Sequence, residues 1–203
     1  MNRLAVVRRG LWPVLFLAAL APAPWLAWRA FAGDRLGADP VKTLQTVTGL
    51  TAIILLLATL AITPLRRLSG WNELIRLRRM LGLWSFAWVV VHRLIYLVFD
   101  QSLDLGSIAA DTVEHPRIAV GAAAFLLLLP LALTSTDGMI RRLGRRWGKL
   151  HRLIYPATAL GILHYLMVQK LDWRVGTGYV VVFVALLALR LVPAGWRRRL
   201  ASG

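Results

Sequence analysis

The stretch from Arg141 to Lys170 reads RRLGRRWGKLHRLIYPATALGILHYLMVQK, a basic run followed by an apolar segment that contains His151 and His164. Thirteen residues separate the two histidines, so a straight helix would place them about 20 Å apart, most of the hydrocarbon thickness of a bilayer. At about 100° per residue their side chains would also lie about 220° apart around that helix. One metal ion could not bind both, so as ligands they would serve two sites at two depths.

The composition is typical of a polytopic membrane protein. The chain has 203 residues, 58% of them hydrophobic, with a mean hydropathy of +0.63. Its formal charge of +16 comes from short basic clusters between apolar runs, a pattern of membrane topology, so we expect no nucleic-acid partner. Cysteine is absent, which excludes disulfides, thiolate metal sites, iron–sulfur clusters and covalent haem attachment through C-x-x-C-H.

The apolar segments predict an all-α protein, a single six-helix transmembrane bundle over residues 1–203. The first segment runs on without a clear cleavage site, so we expect a retained span rather than a signal peptide. Its three prolines, Pro13, Pro22 and Pro24, predict that this helix is bent or starts late. The predicted spans are roughly 11–32, 47–63, 81–99, 118–134, 150–168 and 178–192.

The distribution of charge predicts the orientation. Seventeen of the 25 Lys and Arg residues fall on one side of the predicted spans and seven on the other, with Arg190 inside helix six, and seven of the nine acidic residues fall on the second side. The positive-inside rule therefore places both termini in the cytosol. His92 and His164 then lie at similar depth in the outer half and can face each other with one planar cofactor between them. His151 lies at the cytosolic edge.

A weak internal repeat relates the two helices that carry these histidines. Arg79 precedes His92 by thirteen residues, as His151 precedes His164, and the two pairs are 72 residues apart. Each pair also follows a basic run. This pattern indicates a decayed duplication of a helix pair, in which Arg79 takes the position of His151. Arg79 could pair with a haem propionate or stand near the iron.

Several functions remain open at this point. A histidine inside a membrane is costly and functional by default, so His92 and His164 are candidates either for haem ligation or for a hydrogen-bonded structural or proton-relay role. His151 is a candidate ligand or an interfacial basic residue, and His115 is expected at the surface. The competing class is a proton-coupled transporter or metal carrier that uses His92, His164 and Arg79. A purely structural subunit would leave the two histidines without a role.

Four stretches together resemble one known family. They are LAITPLRRLSG (60–70), LIRLRRMLGLWSFAWVVVH (74–92), AAFLLLLPLALTST (123–136) and MIRRLGRRWGKLHRLIYPATALGILHYL (139–166). They are similar to the MsrQ (YedZ) family, part of the ferric reductase-like transmembrane superfamily to which the membrane domain of NADPH oxidases is also related. The resemblance covers nearly the whole chain in order.

The resemblance implies a subunit of the bacterial inner membrane that binds one or two haems b and transfers electrons without being the catalytic subunit. FMN is also attributed to the family. Electrons would come from the quinone pool, with quinol as donor, or from a cytosolic flavin reductase. They would pass to MsrP, a periplasmic molybdopterin enzyme that reduces methionine sulfoxide in oxidised proteins.

The resemblance also implies site residues. The family's histidines map onto His92, His151 and His164 as ligands of haem iron, while Arg79 stands where NADPH oxidases have a fourth histidine. The second ligand of an inner haem, and so the number of haems, stays open. The acidic outer loops 33–45 and 100–117 are the expected docking surface.

Overall fold

The computed structural model describes residues 2–32, 36–169 and 173–191, and within these ranges all regular structure is helical. Five helices are long and apolar enough to cross a membrane, which confirms the prediction of an all-α, multi-pass membrane protein. These are α1 (Arg3–Phe31), α2 (Pro40–Ser69), α3 (Asn72–Asp100), α5 (Pro116–Leu133) and α9 (Trp173–Leu191). Shorter helices are α4 (Leu105–Glu114), α6 (Asp137–Leu143), α7 (Arg145–Leu150) and α8 (Ile154–Val168).

Helix α8 is shorter than the predicted span 150–168. Its 15 residues extend about 22 Å, less than the roughly 30 Å of a bilayer's hydrocarbon core. A tighter 3₁₀ turn, His151–Leu153, precedes it. Pro156 explains the late start, because proline has no N–H to donate and is favoured in the first turn of a helix. Six spanning helices and cytosolic termini therefore stay predictions.

The other helices reach beyond the apolar segments that predicted them. α1 does not start late: it begins at Arg3, where the Leu4 N–H donates to Asn2 Oδ1 at 3.1 Å. A wider π-type turn at Val6–Leu11 precedes Pro13 and accommodates its missing donor. α2 begins seven residues early at Pro40. Hydropathy marks only the apolar middle of a helix, and the helix continues into the polar residues on either side.

Caps define both ends of α2. The Lys42 N–H donates to Asp39 Oδ1 at 2.9 Å, which satisfies one of the orphan donors of the first turn. At the other end Gly70 has φ 68°, a left-handed conformation that terminates helices and favours glycine. The predicted segment 47–63 therefore corresponds to the middle of a 30-residue helix.

Helix α2 is the centre of the bundle. In its most apolar window 56% of residues are buried, against 6% in α9. α2 packs chiefly against α3, and α5 packs chiefly against α8. One apolar cluster joins α1, α2 and α3, and a second joins α2, α5 and α8. The two helix pairs thus meet along α2.

Two buried hydrogen bonds fix the position of α3. Ser85 Oγ donates to the Ala52 carbonyl of α2 at 2.9 Å, and Trp88 Nε1 donates to the Ala19 carbonyl of α1 at 2.8 Å. Trp88 lies one turn before His92, so the two residues share a face of the helix. The contacts that hold Trp88 therefore also orient His92 within the bundle.

Candidate functional site

His92 of α3 and His164 of α8 lie next to each other in the structure. Their ring centroids are 6.1 Å apart and the ring planes meet at 78°. The two helices are not consecutive in the chain, so the packing of α2, α3, α5 and α8 creates this proximity. The structure thus brings together the two histidines that the sequence placed at similar depth.

The neighbouring helix α2 determines which nitrogen of His92 carries the proton. His92 Nδ1 lies 3.0 Å from the Gln45 carbonyl oxygen and 3.3 Å from Thr48 Oγ1. A carbonyl can only accept, and the Thr48 hydroxyl already donates to the Leu44 carbonyl at 2.7 Å. His92 Nδ1–H must therefore be the donor, which leaves the Nε2 lone pair available to a metal.

His164 is held in the same way by α5. Its Nδ1 lies 2.7 Å from the Arg117 carbonyl oxygen, again an acceptor. Hydrogen bonding through Nδ1 to a backbone carbonyl is the common means by which proteins fix the tautomer and orientation of a histidine ligand. Both rings of the pair therefore keep Nε2 unprotonated when neutral.

A glycine on each neighbouring helix makes room for these rings. A Cβ at Gly49 would lie 3.2 Å from His92 Cε1, and a Cβ at Gly121 would lie 2.9 Å from His164 Nδ1. Both distances are shorter than ordinary contacts, and the second is not compatible with the present ring position. Glycine is the residue that lets another group approach a helix this closely.

The two histidines and their supports repeat at one interval. In each half of the site a helix supplies a carbonyl, then a glycine four residues later, and the next helix supplies the histidine. The corresponding residues are Gln45 and Arg117, Gly49 and Gly121, and His92 and His164, each pair 72 residues apart. The weak repeat seen in the sequence thus corresponds to two similar helix pairs that each present one histidine.

His151 lies one helix length away, in the turn before α8. Its ring stacks on Trp147, with centroids 3.9 Å apart and planes at 27°. Its Nε2 lies 3.2 Å from Thr134 Oγ1, whose hydroxyl donates to the Pro130 carbonyl at 2.6 Å. Nε2 therefore donates to Thr134, so the tautomer of His151 is opposite to that of the other two histidines. A metal bound through Nε2 would have to break this hydrogen bond.

The structure does not place Arg79 beside any of the three histidines. Arg79 forms an ion pair with Asp137 of α6, and both side chains are well exposed. The charge of the preceding residue, Arg78, acts on His151 instead. A relay through His92, His164 and Arg79 is therefore not assembled. His115 is 40% exposed and pairs with Asp111 at 2.7 Å, as expected for a surface residue.

The helical supports of the histidine pair were not identified from the sequence. Gln45 and Arg117 act through backbone carbonyls, which any residue type could supply. The glycines were visible in principle, since Gly49 and Gly121 share the 72-residue offset of the histidines. Glycine is frequent in transmembrane helices, however, so two glycines alone are a weak signal.

The pair cannot hold a bare metal ion without further ligands. Among residues 2–32, 36–169 and 173–191, no group of three or more His, Cys, Asp or Glu side chains could do so. Two imidazoles with free Nε2 atoms suit a metal whose remaining ligands come from a macrocycle. Fold and site together define a helical membrane protein with a paired-histidine centre.

Comparison with known proteins agrees with this class. Residues 48–162 match the family described as ferric reductase like transmembrane component, a match that includes His92 and His151 and ends two residues before His164. A protein of Rhodospirillum rubrum is 49% identical over 186 residues, 91% of this chain and 89% of that protein. A protein of Herminiimonas arsenicoxydans is 47% identical over 189 residues, 92% and 86% of the two chains.

A protein of Ralstonia nicotianae is 50% identical over 163 residues, 79% of this chain and 75% of its own. All three relatives are named protein-methionine-sulfoxide reductase heme-binding subunit MsrQ. Likeness at this level over most of both chains establishes kinship. The chain belongs to the MsrQ family of ferric reductase-like transmembrane proteins.

Proposed function

We propose that this protein is a haem-binding membrane subunit that carries electrons across the bacterial inner membrane to a protein-methionine-sulfoxide reductase. The observation that carries the proposal is the His92 and His164 pair, with centroids 6.1 Å apart and both Nδ1 atoms bonded to carbonyls. The names of the relatives support haem as the cofactor and a protein-methionine-sulfoxide reductase as the system. The five apolar helices support a location in the membrane.

His92 and His164 are the residues that would hold one haem between them. Their ring centroids are 6.1 Å apart, and the Nδ1 hydrogen bonds leave both Nε2 lone pairs available to iron. A haem held there would be of b type, because the chain has no cysteine for covalent attachment.

The protein itself fixes the orientation of the two imidazole rings and packs helices closely behind them. Gln45, Thr48 and Arg117 hold the two Nδ1–H groups, so neither ring can rotate without losing a hydrogen bond. Gly49 and Gly121 let α2 and α5 close behind the rings. When bound, haem supplies one-electron transfer. If both histidines held the iron, no position would be left for a substrate, which would suit electron transfer rather than oxygen chemistry.

An inner site near His151 would complete a route across the membrane. His151, Trp147 and Thr134 form a packed and hydrogen-bonded group at the other end of α8 from His164. We propose that His151 contributes to a second haem, for which its Nε2 would have to exchange the Thr134 hydroxyl for iron. Such a haem would shorten the transfer from the cytosolic side. Quinol or a cytosolic flavin reductase would be the donor, and FMN would take part on that side.

The acceptor would be a periplasmic MsrP-type molybdopterin enzyme. The outer loop 100–117 contains α4, whose N-cap is Asp104, and the acidic residues Asp100, Asp111 and Glu114. The side chains of Leu103, Leu105 and Val113 in this loop are exposed. Such a mixture of acidic and apolar groups suits a protein partner. The other expected docking loop is 33–45, and the structure describes it from residue 36 onward. Residues 33–35 lie outside the described residues.

Anaerobic stopped-flow absorption tests the proposal. The full-length protein in lipid nanodiscs would be reduced, freed of excess reductant, and mixed with the catalytic subunit and a peptide that contains methionine sulfoxide. With the catalytic subunit at a small fraction of the haem concentration, we expect the haem spectrum to return fully to the oxidised form only when both are present. A reduced spectrum that persists in the complete mixture would contradict the proposal.

A further inference from the structure

A second polar cluster lies at the end of the bundle opposite the paired histidines. It combines Arg78 at the start of α3, Tyr155 at the start of α8 and Arg190 near the end of α9. Arg190 Nη1 donates to the Tyr155 hydroxyl, and its guanidinium carbon lies 5.1 Å from the centroid of that ring. The charges of Arg190 and Arg66 both act on Arg78.

A proline in α2 fixes the position of Arg190. In a regular helix the Leu60 carbonyl would accept from the N–H of residue 64, but that residue is Pro64 and has none. Arg190 Nη2 takes the vacant position and donates to the Leu60 carbonyl at 2.6 Å. The guanidinium is therefore anchored between α2 and α8 by two neutral acceptors.

These contacts leave the positive charge uncompensated. In the described part of the chain neither Arg78 nor Arg190 forms an ion pair, and the acidic groups in ion pairs are Asp111 and Asp137. The buried Arg190 Nε also has no hydrogen-bond partner among those residues. Buried charges are normally paired, and buried polar atoms are normally bonded.

The cluster is rich in donors and poor in acceptors. Arginine has five N–H donors and no acceptor, so Arg78 and Arg190 together offer several unused donors, and the Tyr155 hydroxyl can still donate its proton. An anion with three or more oxygen acceptors would satisfy this arrangement better than a carboxylate with two. Phosphate is the anion that arginine forks match in this way.

We propose that Arg78, Arg190 and the Tyr155 hydroxyl bind a phosphate group at this end of the bundle. The phosphate would belong to an anionic phospholipid of the adjacent leaflet or to a soluble phosphate compound. The cluster lies at the bundle end where the basic residues concentrate, and such basic pockets between membrane helices attract anionic headgroups. The site is separate from the paired histidines. It adjoins His151, on which the charge of Arg78 acts, so a carboxylate of the proposed inner haem is the competing occupant.

Retention of phospholipid by the purified protein tests the lipid source. The wild type, Arg190→Gln and Arg78→Gln would be delipidated in detergent, exposed to phosphatidylglycerol vesicles and analysed by native mass spectrometry. Arg67→Gln is the matched control, because it removes one exposed arginine on the same side of the bundle. We expect each cluster variant to lose about tenfold or more in phosphatidylglycerol affinity and the control to keep it.

Binding of ³²P-orthophosphate to the lipid-free protein tests the soluble source. Saturable binding that Arg190→Gln weakens, without selective phosphatidylglycerol retention, would support the site and assign it to a soluble phosphate. Arg190→Lys keeps the charge and serves as the check on folding, so it should bind better than Arg190→Gln. Equal binding of both probes by all variants would overturn the proposal. Loss of haem with unchanged phosphate binding would also overturn it, since the cluster would then serve a haem carboxylate.

Discussion

His92 and His164 each donate through Nδ1 to a backbone carbonyl 47 residues earlier in the chain, at 3.0 Å and 2.7 Å. Each carbonyl is followed four residues later by a glycine that faces the ring. The site is therefore two copies of one device, in which a helix holds the histidine of the next helix. Substitutions at these glycines therefore test the site as directly as substitutions of the histidines.

Replacing the glycines should loosen the histidines to different degrees. Gly121→Ala places a Cβ 2.9 Å from His164 Nδ1, whereas Gly49→Ala places one 3.2 Å from His92 Cε1. The added methyl group must displace the ring and lengthen its hydrogen bond to the backbone carbonyl. We therefore expect haem affinity to fall roughly 10- to 100-fold in Gly121→Ala and less in Gly49→Ala. Haem titration of the apoprotein in detergent measures the effect.

Gly161→Ala is the matched control for these variants. Nothing lies within 4 Å of a Cβ at Gly161, although this glycine is on the same helix as His164. We expect haem affinity equal to that of the wild type. If Gly161→Ala and Gly121→Ala lost haem equally, general helix effects rather than ring displacement would explain the loss.

Removing Arg79 should have little effect on the haem sites. Arg79 and Asp137 form an exposed ion pair, and exposed pairs contribute about 0–1 kcal/mol. We expect Arg79→Gln to keep the haem-to-protein ratio and to change the free energy of unfolding by less than about 1 kcal/mol. Absorption spectra and thermal unfolding in detergent test this. A lost haem in Arg79→Gln would restore the contact with a haem propionate, or the position near the iron, that the sequence suggested.

The buried indole of Trp88 should matter for stability. Trp88 is 4% exposed and its Nε1 donates to the Ala19 carbonyl. Trp88→Phe removes that hydrogen bond and leaves the buried Ala19 carbonyl without this donor. We therefore expect the free energy of unfolding to fall by about 1 kcal/mol or more. The half-exposed Trp12 offers a control, since Trp12→Phe removes an indole from a wetter position. Equal melting temperatures of the two variants would contradict a structural role for the Trp88 bond.

Helix α4 should become less stable in acid. Asp104 caps it, and the hydrogen bonds from Ser107 lower the pKa of this carboxyl below its usual value. A group whose pKa is lowered by folding stabilises above its unfolded pKa of about 3.9 and stops doing so as the pH falls through its folded pKa. The hydrogen-exchange protection factors of residues 105–114, which correct for the pH dependence of intrinsic amide exchange, should therefore fall at low pH, and Asp104→Asn should remove most of that dependence. An unchanged pH profile in Asp104→Asn would show that another group is responsible.

The sequence predicted the membrane class and the facing pair His92 and His164, because hydropathy and helical rise determine depth. It placed the helix ends less well, since caps such as Asp39 and Gly70 lie outside the apolar windows. The end of the bundle that carries His151 departed most from prediction. His151 lies in a 3₁₀ turn rather than in α8, so a straight-helix count from His164 does not locate its neighbours.

The position of Arg190 illustrates what no single segment could reveal. Its partners are the Leu60 carbonyl, released by Pro64, and Tyr155 of another helix. Hydropathy identified Arg190 only as one charge inside a predicted span. Its role depends on a backbone acceptor 130 residues away in the chain, which becomes visible only when α2, α8 and α9 are packed together.

The most direct measurement is the reduced-minus-oxidised absorption spectrum of the purified protein, with the haem-to-protein ratio from the pyridine haemochrome. We expect a b-type spectrum in the wild type, loss of one haem in His92→Ala and in His164→Ala, and no change in His115→Ala. A ratio near two in the wild type would support a second haem at His151. A full spectrum retained in both His92→Ala and His164→Ala would contradict the paired-histidine site.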